Sequence, residues 1–347
     1  MRAHQHSSTS WLKGQLILPG EAEYDDARSV WNARFDPHPA LIARVADADD
    51  VVRAIDYART SALPLSVRGG SYNVAGTSVV DGGLVIDLSG MNGIRVDAPG
   101  RRAWVEPGVR TGELLRALAT YGLTLPVGRV SQVGMAGLTL GGGIGALMGT
   151  HGLTIDNVIS MEVVTADGRV LHAAADKNED LYWALRGGGG NFGVVTGFEF
   201  ELHPQATLLA GRIVHPLTVA ADVLRFYRRF AAAAPDQLTV SAGLVQTPDG
   251  TPAVAVIPVY SGDDLTEGAR LVLPLRRFGT PVADTVGPMS YIDVSSMMDE
   301  AGRAGRRCYW RSGFVPALDD DTIGVLVEGF SRVPSPNTLL LIDYMHG

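Results

Sequence analysis

The stretch that most limits what this chain can fold into runs from Leu138 to Asn157, L-T-L-G-G-G-I-G-A-L-M-G-T-H-G-L-T-I-D-N. Gly141, Gly142, Gly143, Gly145 and Gly149 fall within nine positions of it, set among leucine, isoleucine and methionine. A flexible linker dilutes its glycines with polar residues. Apolar flanks mean instead that backbone is pressed closely against another segment or a ligand. Two similar clusters occur elsewhere, V-R-G-G-S-Y-N-V-A-G from Val67 to Gly76 and R-G-G-G-G-N-F-G-V-V from Arg186 to Val195. Three such clusters in one chain read as three walls of one cofactor site.

With 347 residues the chain is long enough for a large core and two domains. Hydrophobic residues are 46% and charged residues 19%, which argues against disorder. A net charge of −8 excludes a general nucleic-acid binder, which needs a basic face. The single cysteine, Cys308, excludes an internal disulfide and any multi-cysteine metal site, and it reads as a structural residue of a cytoplasmic protein. No apolar run resembles a signal peptide or a membrane span, so no membrane partner is expected.

Along the chain, Leu41–Val45 reads as a strand and Asp50–Thr60 as a helix with Val51, Val52, Ile55 and Ala58 on one face. Leu65–Val67 is expected as a short buried strand that delivers the chain into the first glycine cluster. Strands follow at Leu84–Leu88 and Ala103–Val105, then a helix carrying Leu114, Leu115 and Leu118 and ending at Gly122. Val158–Thr165 and Val170–Ala173 form a hairpin about Asp167-Gly168; Glu179–Arg186 is a helix and Val194–Leu202 a strand. Beyond Pro204, strands at Gly211–Val214, Leu238–Leu244, Ala253–Tyr260 and Leu339–Tyr344 alternate with helices at Ala221–Ala234, Asp263–Phe278 and Asp319–Gly329. This pattern predicts an antiparallel sheet with helices on one face. The fold class is α+β.

Gly188, Gly190 and Gly193 match G-x-G-x-x-G. That dinucleotide fingerprint needs a strand before it and a helix after it. Here the predicted order is helix, cluster, strand, which disfavours a nicotinamide-binding Rossmann unit. Glycines can still offer bare backbone N–H groups to a pyrophosphate, and Arg68 adds fixed charge at the head of the first cluster. Taken singly, each cluster is a turn and Arg68 a surface ion pair; together they point to a cofactor cradle. The eight histidines have no ligand spacing, so no metal is expected, and no serine sits in G-x-S-x-G.

The motifs V-R-G-G-x-x-N-x-A-G-x-S, V-x-x-G-x-x-G-x-x-x-G-G-G-x-G, G-L-x-x-D-N and W-A-L-R-G-G-G-x-N-F-G-V-V-T follow one another in order. In this they resemble the FAD-binding domain of vanillyl-alcohol oxidase-type (PCMH-type) flavoproteins, most closely the bacterial berberine bridge enzyme-like group. The resemblance implies a lead-in over 1–35, an FAD-binding domain of two α+β subdomains over 36–205, and a substrate domain over 206–347 that lacks its C-terminal segment. It further implies that Arg68, Gly69, Gly70, Ser71, Tyr72 and Asn73 wrap the pyrophosphate, with Gly76 and Ser78 nearby. Gly134, Gly137, Gly141, Gly142 and Gly143 would press against the ADP and flavin, Asp156 and Asn157 would sit close by, and Gly193 and Val195 would contact the cofactor through backbone.

Two departures stand out. Members of the group commonly tether the flavin to a histidine in R-G-G-x-H, where this chain has Tyr72, and bicovalent members add a cysteine where it has Val130. FAD is therefore expected to bind non-covalently. The segment that often supplies the catalytic base is absent, which leaves Tyr291, Tyr309 and Trp310 as candidates, with Arg311, Tyr344 and His346 nearby in sequence. The implied function is hydride transfer from an alcohol, sugar or secondary-metabolite carbon to flavin N5, with molecular oxygen as acceptor. The alternative is a truncated or degenerate relative that binds FAD weakly and catalyses nothing.

Overall fold

The computed structural model describes residues 11–247 and 249–346. Among the described residues three large sheets carry the chain, with a two-stranded ladder between Leu123–Thr124 and His203–Pro204. In the first, strands Leu41–Arg44, Leu84–Asp87 and Leu65–Arg68 run parallel, and Gln15–Ile17 closes the edge antiparallel to Leu41–Arg44. The helix Ala48–Thr60 covers it, and the Asp47 side chain caps that helix by accepting from the Asp50 N–H at 3.0 Å. Val51, Ile55 and Ala58 pack on Ala43, Leu84 and Ile86 as expected, while Ala54 rather than Val52 completes the buried face and Val52 is half-buried at its edge.

Leu65–Arg68 departs from expectation. It pairs only with Leu84–Asp87, so it is an edge strand; Ser66 is buried while Leu65 and Val67 are 39% and 36% exposed. An apolar triplet cannot say which side of a sheet it faces.

The second sheet is antiparallel throughout, in the order Ile94–Asp97, Arg102–Val105, Val194–Glu201, Val158–Val164, Val170–Ala174. Its long central strand buries Phe198 and Phe200 completely. The helix Thr111–Ala119 supplies Leu114, Leu115 and Leu118 to the same core, and its last turn closes through Gly122, whose φ is +64°.

The third sheet has seven strands, all antiparallel, built around Pro252–Tyr260 and Leu238–Gln246. Alternation sorts its two faces. Val240, Ala242, Leu244, Val254 and Val256 join a core with the helices Ala220–Ala231, Leu265–Arg277 and Asp320–Phe330. Thr239, Ser241, Ile257 and Val259 point to the other side, and Val259 packs into the core of the second sheet. The expected antiparallel sheet with helices on one face is present. Among the described residues no helix is long and apolar enough to cross a membrane.

Candidate functional site

The three glycine clusters meet. The first follows the edge strand that ends at Arg68, and its Gly70 lies against Gly134. A Cβ on Gly70 would stand 2.4 Å from the Gly134 nitrogen, and one on Gly134 would stand 2.4 Å from the Gly70 nitrogen. The two backbones touch, and no other residue fits at either place. Gly134 opens the short helix Met135–Leu140, which runs into Gly141, Gly142 and Gly143. Gly142 and Gly143 have φ of +112° and +84°, and the Gly143 carbonyl accepts from both the N–H and the hydroxyl of Thr154, at 3.1 and 3.2 Å. The third cluster packs on the same helix. Arg186 ties it to the second by an ion pair with Asp156 at 3.1 Å and a bond to the Ile155 carbonyl at 2.9 Å.

The order around the third cluster is the helix Glu179–Gly188 before and the strand Val194–Glu201 after. The Rossmann arrangement is therefore absent there, as expected.

Electrostatically the head of the first cluster is unusual. In register, Asp87 faces both Arg44 and Arg68 across the parallel strands. Arg44 takes it, donating Nε to Asp87 Oδ2 at 3.1 Å. Among the described residues Arg68 Nη1 is buried and has no hydrogen-bond partner. Burial pulls the Arg68 pKa below the usual guanidinium value, with Asp87 opposing the shift. A buried donor without an acceptor is costly, and a bound anion would satisfy it.

The remaining candidates of the first cluster form a compact turn. Ser71 holds a left-handed φ of +61°, and its hydroxyl is 3.5 Å from that of Ser78. The Asn73 side chain accepts from the Ala75 N–H at 2.8 Å, and Gly76 (φ +69°) abuts the Phe35 ring. Gly69 lies near Ala136 of the short helix. The Tyr72 ring stacks on Trp31 at 5.8 Å, and burial raises its phenol pKa. Val130 fills the space beside Gly302. Gly137 is exposed with nothing within 4 Å of where its Cβ would be. Asn157 is buried, bonded to the carbonyls of His151 and Leu153 and to His203. Gly193 sits tight against Val164 with φ +150°, and Val195 is buried in the core beside Val163.

Beneath the third sheet, next to Val130, lies a cleft lined by Arg129, Thr239 and Ser241 among apolar residues that include Ala146, Ile257, Val259, Val294 and Met297. Sequence reasoning missed Arg129, Thr239 and Ser241. The period-two polar positions in L-T-V-S-A were the available signal.

The three catalytic candidates separate. Tyr309 and Trp310 are exposed on the loop after the helix Tyr291–Ser296, and Tyr309 accepts from Arg311 Nε at 2.6 Å. Tyr291 is 2% exposed in the core of the second sheet. Its hydroxyl accepts from the Val127 N–H at 2.9 Å and lies 3.1 Å from the Val127 carbonyl, to which it donates. Burial raises its pKa strongly. Both roles of the hydroxyl are spent on the Val127 backbone, which leaves it no free hydrogen-bonding capacity for catalysis in this structure.

Comparison with known proteins identifies the lineage. Residues 39–174 match a family described as an FAD binding domain. An FAD-linked oxidoreductase of Dictyostelium discoideum is 30% identical over 97% of this chain and 74% of its own length. The chain is an FAD-linked oxidoreductase. This oxidoreductase is also 35% identical to (R)-6-hydroxynicotine oxidase of Paenarthrobacter nicotinovorans, over 84% of this chain and 64% of that enzyme. The crystal structure of 6-hydroxy-D-nicotine oxidase from Arthrobacter nicotinovorans superposes with a TM-score of 0.85 at 30% identity, covering 96% of this chain and 76% of that one. The fold is shared with Physcomitrella patens BBE-like 1, which superposes with a TM-score of 0.83 at 24% identity, covering 95% of this chain and 75% of that one. The chain of this FAD-linked oxidoreductase thus spans about two thirds to three quarters of the length of these relatives.

The residues present fit FAD. The unpartnered Arg68 donor suits a pyrophosphate, and the glycine segments around it offer backbone unobstructed by side chains. Among the described residues no group of three or more His, Cys, Asp or Glu could hold a metal ion.

Proposed function

We propose that the three glycine clusters hold FAD non-covalently and that the enzyme oxidises a small alcohol, sugar or secondary metabolite entering beneath the third sheet. In this reading residues 36–205 bind the cofactor and 206–347 face the substrate. Bound FAD supplies a two-electron oxidant that accepts a hydride at N5 and passes the electrons to molecular oxygen. The chain contributes orientation and charge. Arg68 meets the pyrophosphate, Ser71, Asn73, Gly76 and Ser78 shape the turn around it, and Gly134, Gly137 and Gly141–Gly143 keep side chains away. Asp156 and Asn157 brace the loop from below, and Gly193 and Val195 close it from the third cluster. Tyr72 and Val130 stand at the tether positions without a histidine or cysteine. The phenol of Tyr72 is stacked on Trp31 and held protonated by its raised pKa, so it is a poor nucleophile. Tyr309 and Trp310 remain the exposed aromatics able to meet a substrate.

The observation that carries the reading is Arg68 Nη1, buried and without a partner among the described residues, beside touching glycine backbones. A charge-assisted hydrogen bond contributes about 1.5–3 kcal/mol. Arg68→Met should therefore weaken FAD binding roughly 10- to 150-fold in a fluorescence titration. Wild-type protein should purify yellow and release its flavin into the supernatant on acid precipitation. Flavin retained in the pellet overturns non-covalent attachment, and colourless protein without FAD affinity overturns the whole reading.

A further inference from the structure

Between Leu125 and Val133 the chain belongs to no helix and no strand, so its backbone has to be held from outside. Much of that hold comes from the second half. The Tyr291 hydroxyl takes the Val127 N–H and carbonyl. Asp343 Oδ1 accepts from Arg129 Nη1 at 2.8 Å and from the Ser241 hydroxyl at 2.6 Å. Gly302 makes room for Val130: a Cβ there would stand 2.9 and 3.0 Å from the two valine methyls. Asp299 takes Ser131 by both of its donors, Oδ1 accepting the N–H at 2.7 Å and Oδ2 the hydroxyl at 2.6 Å.

The Asp299 contact differs from the others in strength and in what lies behind it. Ser131 is 7% exposed, so its donors are largely shut off from water. Both carboxylate oxygens are engaged, and a charged acceptor roughly doubles the strength of a hydrogen bond. Ser131 then leads into the contact between the first two glycine clusters. Its carbonyl accepts from the Gly112 N–H at 2.9 Å, and the Val133 carbonyl accepts from the Thr111 N–H and hydroxyl, both at 2.9 Å. These bonds set the next residue, Gly134, against Gly70, two positions beyond Arg68. The Asp299 charge also reaches Tyr72. Burial raises that phenol most, the Arg110 charge opposes the shift and the Asp299 charge adds to it.

We infer that Asp299 is a positioning residue for the cofactor: through Ser131 it fixes the segment that brings Val130 and Gly134 to the flavin site. Cofactor retention is thereby tied to closure of the second half on the first. This rests on the reading that the three glycine clusters hold FAD.

The test is release of FAD from the loaded protein on dilution, followed by flavin fluorescence, under conditions where circular dichroism shows the fold intact. Asp299→Ala should weaken FAD binding about 2- to 30-fold, the range for coupling through a residue that does not itself touch the ligand. Ser131→Ala should weaken it less, because its N–H still reaches the carboxylate, and the two effects should not add. Asp319→Ala is the control for a merely structural effect. It removes the N-cap of the helix Asp320–Phe330, where Asp319 accepts from the Thr322 N–H at 2.7 Å. That variant should unfold more easily and bind FAD as wild type does. If Asp299→Ala does not fold, Asp299→Asn keeps the shape, loses the charge and should still weaken FAD at least about twofold. Folded Asp299 variants that hold FAD as tightly as wild type overturn the inference while the cofactor reading stands. Additive effects of Ser131→Ala and Asp299→Ala, or an equal loss in Asp319→Ala, overturn it in the same way. Wild-type protein that takes up no FAD overturns that reading and this inference with it.

Discussion

At the scale of single residues, Tyr291 and Arg68 show how partners decide a role. Both carry a polar atom taken out of water, the hydroxyl of a buried Tyr291 and Nη1 of a half-buried Arg68. One has its hydroxyl bonded in both directions to Val127, and the other has a donor with nothing to bond. The first is satisfied where it stands; the second is the one we propose as the pyrophosphate contact. Tyr291→Phe should cost about 1–3 kcal/mol of stability, because the Val127 N–H and carbonyl lose their partner inside the core. Chemical denaturation measures that loss. Turnover per bound flavin should stay within about twofold, and a collapse of turnover at unchanged stability would restore Tyr291 as a catalyst. The identity of Arg68 was legible in V-R-G-G; its unpaired state was not, because that depends on Arg44 taking Asp87 from the neighbouring strand. Arg129 and Asp343 lie 214 positions apart and acquire meaning only when the third sheet settles on the first half. A charged residue inside L-L-L-I-D-Y was the one visible hint.

At the scale of elements, strands with unbroken apolar runs and helices with regular spacing could be read directly, as with Leu84–Asp87 and Ala48–Thr60. Gln15–Ile17 and Ile94–Asp97 could not, since short segments become strands only when a partner supplies the ladder. One junction between elements carries a pH dependence. His151, ending the helix Met148–His151, stacks on His203 with ring centroids 3.9 Å apart. Burial, and then His203, pulls His151 down to about 4, and burial also lowers His203, with Glu201 opposing and Arg101 reinforcing that shift. The folded state therefore refuses a proton that the unfolded chain accepts near pH 6.5. Stability should fall as pH drops from about 6.5 toward about 4 and level off below. Thermal melts across this range should show the decline, and His151→Gln should flatten it. A wild-type melting temperature that does not change between pH 7 and 4.5 would falsify the assignment.

At the scale of the whole molecule, the two halves are joined by a clamp that no motif announced. Asn32, 1% exposed, donates to the carbonyls of Val74 and Cys308 and accepts from the Cys308 N–H at 2.8 Å. Trp31 adds a bond from Nε1 to the Gly302 carbonyl at 2.6 Å. Cys308 thus takes part through its backbone, and its thiol is free. Asn32→Ala should cost about 2–4 kcal/mol, from several buried bonds lost together. Calorimetry should show a lowered transition that broadens or splits as the halves uncouple; a single transition at the wild-type temperature would argue against the clamp.

The clamp also sets a timetable. Asn32 and Cys308 are separated by 276 positions. At 5–20 residues per second a ribosome needs roughly 14–55 s between making one and the other. Throughout that interval Trp31 and Asn32 have been made but lack their partners at Gly302 and Cys308. They wait beside a first half that folds around them. The clamp at Asn32 is therefore completed only after the first half has had time to fold, and Leu340–Asp343 joins the third sheet later still.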